Sequence, residues 1–210
     1  MRNKPTMKAC HDSSLDNTII LQKWQRATLS PRPPRQGALL SVRPRPGNPS
    51  QGLLTIGGTV FPCALGRLGI RALKREGDGA TPRACMHPLR IYFRPDRRRA
   101  GIGPVLLPAI PIRKDLGWCD APLDANYNRP VRLPFSASHE TMLREDRLYD
   151  VCVVLDWNIR PRRRGGGSAI FLHIAQPGMK PKEGCIAVSP RTMTRLLPLL
   201  SRRARIVVHP

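Results

Sequence analysis

The hydrophobic pattern of this chain is one of short apolar runs broken by glycine and proline. Such runs read as strands, and few segments keep the period of a helix. Leu39 to Val42 predicts a short strand, broken by Pro44 and Pro46. Gly52 to Ala64 holds two apolar runs around Gly57-Gly58, which predicts a hairpin. Leu65 to Glu76 gives way to Gly77-Asp78-Gly79, a turn whose residues tolerate positive φ. Glu76 and Asp78 read there as turn and solvation chemistry. Leu89 to Arg94 alternates as a half-buried strand, and Arg97-Arg98-Arg99 follows as a basic loop. Val105 to Ile112 is apolar, but Pro108 and Pro111 restrict it to an edge strand or an extended strap. Residues 117–134 are rich in turn formers and carry Trp118 and Tyr127. They predict a long irregular loop of the kind that walls a groove. The alternative is that Trp118 packs as a lid over the core.

Further on, Ser138 to Arg147 reads as a short helix, with Ser138 as N-cap and Met142 and Leu143 inward. His139 reads as a surface or cap residue. Tyr149 to Ile159 is the strongest strand pattern, dense in valine and leucine, with Cys152 in the core. The basic turn Arg160 to Gly167 leads into an apolar run ending at His173, and the two strands form an antiparallel pair. Ser189-Pro190 opens the last helix, with a hydroxyl N-cap and proline at its first position. Met193, Leu196, Leu197 and Leu200 share one face, and Pro198 shortens or kinks it. Arg205 to His209 returns as a closing strand. No internal repeat is present. The pattern predicts a mainly β fold, two sheets or a partly open barrel, with one or two short helices.

Residues 1–36 mix charge, serine, threonine and proline without apolar periodicity. Thr18 to Trp24 suits a turn or two of helix, and the prolines around Arg32 to Arg35 suit extended chain. The segment predicts a basic, proline-rich, disordered leader to a folded domain over residues 37–210.

Composition adds a strong charge. Lys and Arg number 36 against 14 Asp and Glu, a formal net charge of +22. That balance favours anionic partners: nucleic acid, lipid headgroups or a wall polymer. The charge is scattered, so general solubility is the plain alternative. No zinc finger, helix-turn-helix or aromatic RNA-binding strand is present, and no specific nucleic acid is expected. The six cysteines form no C-x-x-C pair and lack zinc-finger spacing, which argues against a structural metal. An even number permits disulfides without assigning pairs. No apolar secretory segment opens the chain, and no stretch is long and apolar enough for a transmembrane span.

The candidate chemistry lies in Ser168 to Ser189. His173 ends an apolar run, and Cys185 follows Gly184 directly. Lone Cys and His residues in strands are commonly core residues. A cysteine after a glycine, however, presents its sulfur from a turn beside backbone N–H groups. A histidine on a neighbouring strand takes the thiol proton.

The order of apolar strand, histidine, Gly/Pro loop, Gly184-Cys185-Ile186 and helix resembles the catalytic motif of the L,D-transpeptidase (YkuD-like) family. These enzymes cross-link bacterial peptidoglycan through a cysteine acyl-enzyme. The resemblance covers Leu39 to Pro210 and is strongest after Tyr149. The common form reads Ser-His-Gly-Cys, then a hydrophobic residue and Arg. Here Lys182 and Glu183 precede Gly184-Cys185, and Ala187 stands where the Arg is usual, so the chain resembles a divergent branch. The resemblance implies a mixed β-sandwich, Cys185 and His173 as catalytic residues, and backbone N–H groups of Gly184 and Cys185 at the oxyanion. Lys180, Lys182, Trp118 and Tyr127 are candidate substrate contacts. The implied partners are peptidoglycan stem peptides, with anionic wall polymers also possible partners of the charge. No metal or organic cofactor is required. The implied setting is the periplasm or cell envelope, while the missing apolar leader keeps the cytoplasm open. Two other readings stand beside it: a wall-acting cysteine carboxypeptidase or hydrolase, and a non-enzymatic basic binder of polyanions.

Overall fold

The computed structural model describes residues 37–98 and 101–210. The leader over residues 1–36, with its helical turn at Thr18 to Trp24, and Arg99 of the basic loop lie outside the described residues.

Leu39–Arg45 forms β1, Asn48–Ile56 β2 and Thr59–Ala64 β3. Gly57 and Gly58 turn the β2–β3 hairpin at φ 51° and 79°, the left-handed pair that a two-residue turn requires. β1 continues through Pro44, where a break was expected. The register shifts between Pro44 and Arg45, so a bulge absorbs the missing N–H. β4 (Ile70–Arg71) and β5 (Thr81–Pro82) pair in parallel, with Gly77-Asp78-Gly79 turning between them. Asp78 accepts the backbone N–H groups of Arg75 and Ala80, as the turn reading requires.

β6 (Cys85–Met86) and β7 (Pro88–Phe93) lead to β8 (Ala109–Pro111), which its prolines confine to a sheet edge. β9 (Leu116–Cys119), β10 (Arg129–Arg132) and β11 (His139–Thr141) form a separate antiparallel sheet in the order β10-β9-β11. This corrects two expectations. Residues 117–134 are not one irregular loop, and Ser138 to Arg147 is not a helix. Residues His139 to Thr141 pair with β9 instead, which sets Glu140 opposite Trp118. There Glu140 accepts a 2.5 Å hydrogen bond from the Tyr149 hydroxyl. Tertiary pairing outweighs a helix propensity that is weak over so short a window.

β12 (Val151–Leu155) is buried throughout and shorter than its pattern suggested. It pairs antiparallel with β13 (Phe171–Ile174), which pairs in parallel with β14 (Ile186–Val188). Ser189 caps α1 (Pro190–Leu196), its hydroxyl accepting from Thr192 N at 3.1 Å. Pro198 ends the α-helical hydrogen bonding, and the chain tightens into a 3₁₀ turn over Leu197–Leu199. β15 (Arg205–Val208) closes the chain against β1.

The ten-stranded sheet runs β6-β15-β1-β2-β3-β14-β13-β12-β7-β8 and mixes parallel with antiparallel pairs. One face of both its halves packs around α1 in a single core. Leu40, Val42, Leu54 and Ile206 meet Val153, Leu172, Met193 and Leu196 there. On the opposite face of β12 and β13, Cys152, Val154 and Phe171 pack under Trp118 and Met142 of the small sheet region. The fold is therefore the expected mainly β, mixed β-sandwich, with one short α-helix among the described residues.

Candidate active site

The strand alternation of β13 decides which side chains meet. Leu172 and Ile174 point into the main core, and Phe171 and His173 point to the other face. The parallel register sets His173 beside Ala187, so Cys185, two residues earlier, lies on the same face as a diagonal neighbour of His173. Gly184 makes this placement possible. Its φ is 138°, and a Cβ there would lie 3.0 Å from Ala80 O and 3.1 Å from Ile170 Cδ1.

Cys185 and His173 both line a cavity of about 480 Å³. The thiol is held by the strand next to it: Sγ accepts from Phe171 N at 3.4 Å and donates to Ala169 O at 3.1 Å. Ala169 takes a left-handed φ of 51°, a conformation uncommon for a residue with a Cβ. Burial pushes the Cys185 thiol up to about 12, with the Glu140 carboxylate adding to the rise. His173 is 2% exposed, in the floor of the cavity and not at its mouth. Its Nδ1 lies 2.8 Å from the Ile174 carbonyl oxygen. A carbonyl only accepts, so Nδ1 carries the proton and Nε2 of the neutral ring is left as the base. Burial brings His173 down to about 4. The resting pair is thus a thiol and a neutral imidazole.

Of the other expected contacts, Lys182 reaches the cavity. It is 7% exposed, and burial holds its ammonium below the ordinary lysine value. Its backbone is fixed against Leu65 and Arg67 at 2.8 and 2.7 Å. Lys180 is exposed and does not line the cavity. Trp118 and Tyr127 do not line it either. Trp118 stacks edge-on against Phe171 at 5.1 Å and donates to Asn128 Oδ1, and the Tyr127 hydroxyl donates to Glu76. Both rings are buried, Trp118 on β9 and Tyr127 in the turn before β10.

Sequence reasoning missed the charged group Glu140, Arg144 and Asp146, with the buried Tyr149 beside it. Arg144 holds Asp146 at 2.6 Å, which keeps that carboxyl below its ordinary value. It also approaches Glu140 at 3.7 Å and lies over the Tyr149 ring at 5.3 Å. The Tyr149 ring meets His173 edge-on at 5.4 Å. Glu140, Arg144 and Asp146 fell in a segment read as a helix and Tyr149 at the start of the predicted strand, and nothing in either pattern marked them as neighbours of His173. Ala187, where the resembling family commonly has arginine, is fully buried and packs with Ala64 and Ala175. The five described cysteines are free thiols, and no cluster of metal-binding side chains occurs among the described residues.

A cysteine and a neutral histidine share one cavity, with a glycine turn behind the sulfur, which is an arrangement for nucleophilic acyl chemistry. Residues 49–208 match the family model for YkuD, the L,D-transpeptidase catalytic domain, and the chain belongs to that family. Among solved structures it is similar to Mycobacterium tuberculosis L,D-transpeptidase 1, at 14% identity and TM-score 0.36 over 82% of this chain and 62% of that one. An L,D-transpeptidase from Mycobacterium smegmatis is similar at 13% identity and TM-score 0.38, over 83% of this chain and 59% of that one. The chain thus spans about three-fifths of the length of each solved relative. No curated protein matches it. No described helix is long and apolar enough to cross a membrane.

Proposed function

We propose that the cavity transfers a peptidyl group through a thioester on Cys185, with peptidoglycan stem peptides as substrates. The observation that carries this reading is the Nδ1 contact of His173 with Ile174 O, which leaves Nε2 free as a base in the cavity that Cys185 lines. In this reading Sγ attacks the carbonyl carbon after the third residue of a stem tetrapeptide, and His173 Nε2 takes the thiol proton. Backbone N–H groups of Gly184 and Cys185 steady the oxyanion. The bond to the terminal D-residue breaks, and His173 returns the proton to the leaving amine. The amine of a neighbouring stem then attacks the thioester, loses a proton to His173, and restores the thiol. The buried Lys182 ammonium receives a substrate carboxylate. Because the resting pair is neutral, proton transfer accompanies attack and no standing thiolate is needed. Residues 37–210 are the catalytic domain, and the cell envelope is where its substrate lies.

The test is intact-protein mass after incubation with a carbapenem, an acylating probe that the family suggests, and, on separate untreated protein, incubation with tetrapeptide muropeptides. Wild type should gain one adduct and release cross-linked dimers. Cys185→Ser should gain none, and His173→Ala should acylate at least about a hundredfold more slowly, the usual worth of a positioned base. Unmodified wild type, or the same adduct on Cys185→Ser, rejects the mechanism. Shortened monomers without dimers would assign the site to a hydrolase.

A further inference from the structure

The chain after β4 and the basic turn Arg160 to Gly167 meet where Glu76 N donates to Gly165 O at 2.9 Å. Beside this contact is a hollow of about 320 Å³ that shares no lining residue with the catalytic cavity. Leu73, Lys74, Trp157, Asn158, Arg160 and Arg163 contribute to its walls. The basic turn is fixed from inside. Asn158, at a left-handed φ of 53°, donates from Nδ2 to Arg163 O and Gly167 O, both at 2.9 Å, and accepts from Arg163 N at 2.7 Å. Trp157 Nε1 donates to Gly166 O at 3.0 Å. These bonds engage the backbone of the turn and leave its cations to solvent. Arg160, Arg163 and Arg164 are exposed and form no ion pair among the described residues. Among the described residues no carboxylate lines the hollow. The acids nearest to it in sequence are engaged elsewhere: Asp78 with Lys74, Asp156 with His87 at 3.1 Å, and Glu76 with the Tyr127 hydroxyl. Leu73 stands in this basic setting at 86% exposure, the most exposed large apolar side chain among the described residues.

We propose that this patch docks the protein on an anionic lipid bilayer. Arginines clustered without acids attract phosphate headgroups, and guanidinium groups bind phosphate oxygens in pairs. Charge alone would suit any polyanion, and the apolar residues decide between them. A soluble polyanion gains nothing from Leu73. A bilayer surface takes a leucine into its acyl boundary, an indole ring at headgroup level and arginines among the phosphates. Leu73, the half-buried Trp157, Arg160 and Arg163 offer all three around one hollow. The turn is ordered before it docks, so little loop entropy opposes binding. Glu76, whose N–H holds Gly165, also lines the catalytic cavity, so docking fixes the orientation of that cavity to the bilayer. The surface does not depend on which reaction the cavity performs.

The experiment is co-sedimentation of the full-length protein with vesicles of about one-third phosphatidylglycerol in phosphatidylcholine, at physiological salt. Wild type should bind these vesicles and leave pure phosphatidylcholine vesicles unbound. Arg160→Gln, Arg163→Gln and Arg164→Gln combined should weaken binding about a hundredfold, at about fivefold for each arginine. Leu73→Ser should weaken it about tenfold, through the apolar area it no longer inserts. A control removes the same charge elsewhere: Arg191→Gln, Arg195→Gln and Arg202→Gln combined, at and just beyond α1, should weaken binding by less than about fivefold. All seven side chains are exposed, so circular dichroism should find every variant folded. No binding by wild type, or an equal loss in the two triple variants, overturns the proposal. Undiminished binding by Leu73→Ser overturns it as well and assigns the patch to soluble polyanions.

Discussion

Burial acts on Cys185 and His173 with opposite signs and one result. The thiol rises to about 12 and the imidazole falls to about 4, so each is driven toward its neutral form. The imidazole therefore links stability to acid. An unfolded chain binds a proton at this histidine below about 6.5, while the folded protein refuses it until about 4. Folding stability from this site is whole above pH 6.5 and is lost as pH falls toward 4, by about 3 kcal/mol across that window. His173→Gln cannot charge and should remove this part of the slope. Denaturant titrations of both proteins between pH 7 and 4 should show a stability difference that narrows with acid. A constant difference would mean that the imidazole is solvated. That Cys185 and His173 would share one cavity was legible because a Gly-Cys turn and a histidine after an apolar run are local features. The cause of their neutral resting state was not legible, since it lies in the sheet packed over them.

At the scale of the element, the turn before β14 is sensitive to change. A side chain at Gly184 would have to hold φ near 138° with its Cβ 3.0 Å from the Ala80 carbonyl oxygen. Gly184→Ala should cost about 1–3 kcal/mol for the backbone conformation and lower the thermal midpoint. It should also slow carbapenem acylation, because relief of the clash moves Cys185. A variant with unchanged midpoint and adduct rate would show that the turn does not set the nucleophile. Elements with chemistry of their own were readable from their residues: the Gly57-Gly58 hairpin, the Ser189-capped helix and the proline-restricted edge at β8. Glu140 and Arg144 were misread as helical because their structure comes from a partner. β11 exists through pairing with β9, and Glu140 is oriented by Tyr149 from another part of the chain. No local period carries that information.

For the whole molecule, the question is where the folding unit begins. The family match starts at residue 49, yet the sheet does not. β1 sits between β15 and β2 in the ten-stranded order, so it joins β6 and β15 to the remaining strands. Leu40 and Val42 are fully buried in the main core, worth about 1.5–3 kcal/mol each on burial alone. Pairing reaches the front edge of the strand, where Ala38 O accepts from Arg205 N at 2.8 Å. Gly37 approaches the Arg203 carbonyl so closely that a Cβ would lie 2.0 Å from it. A chain beginning at Gly37 keeps all of these contacts and should match the full chain within about 2 °C in thermal midpoint. A chain beginning at Pro49 exposes the flank of β2, strands β15 and β6, and leaves a gap in the core where two buried side chains stood. It should be insoluble, or should lack a cooperative transition in calorimetry. Cooperative unfolding of the Pro49 chain at the full-length midpoint would show that β1 is dispensable. A large drop for the Gly37 chain would place residues 1–36 inside the folding unit.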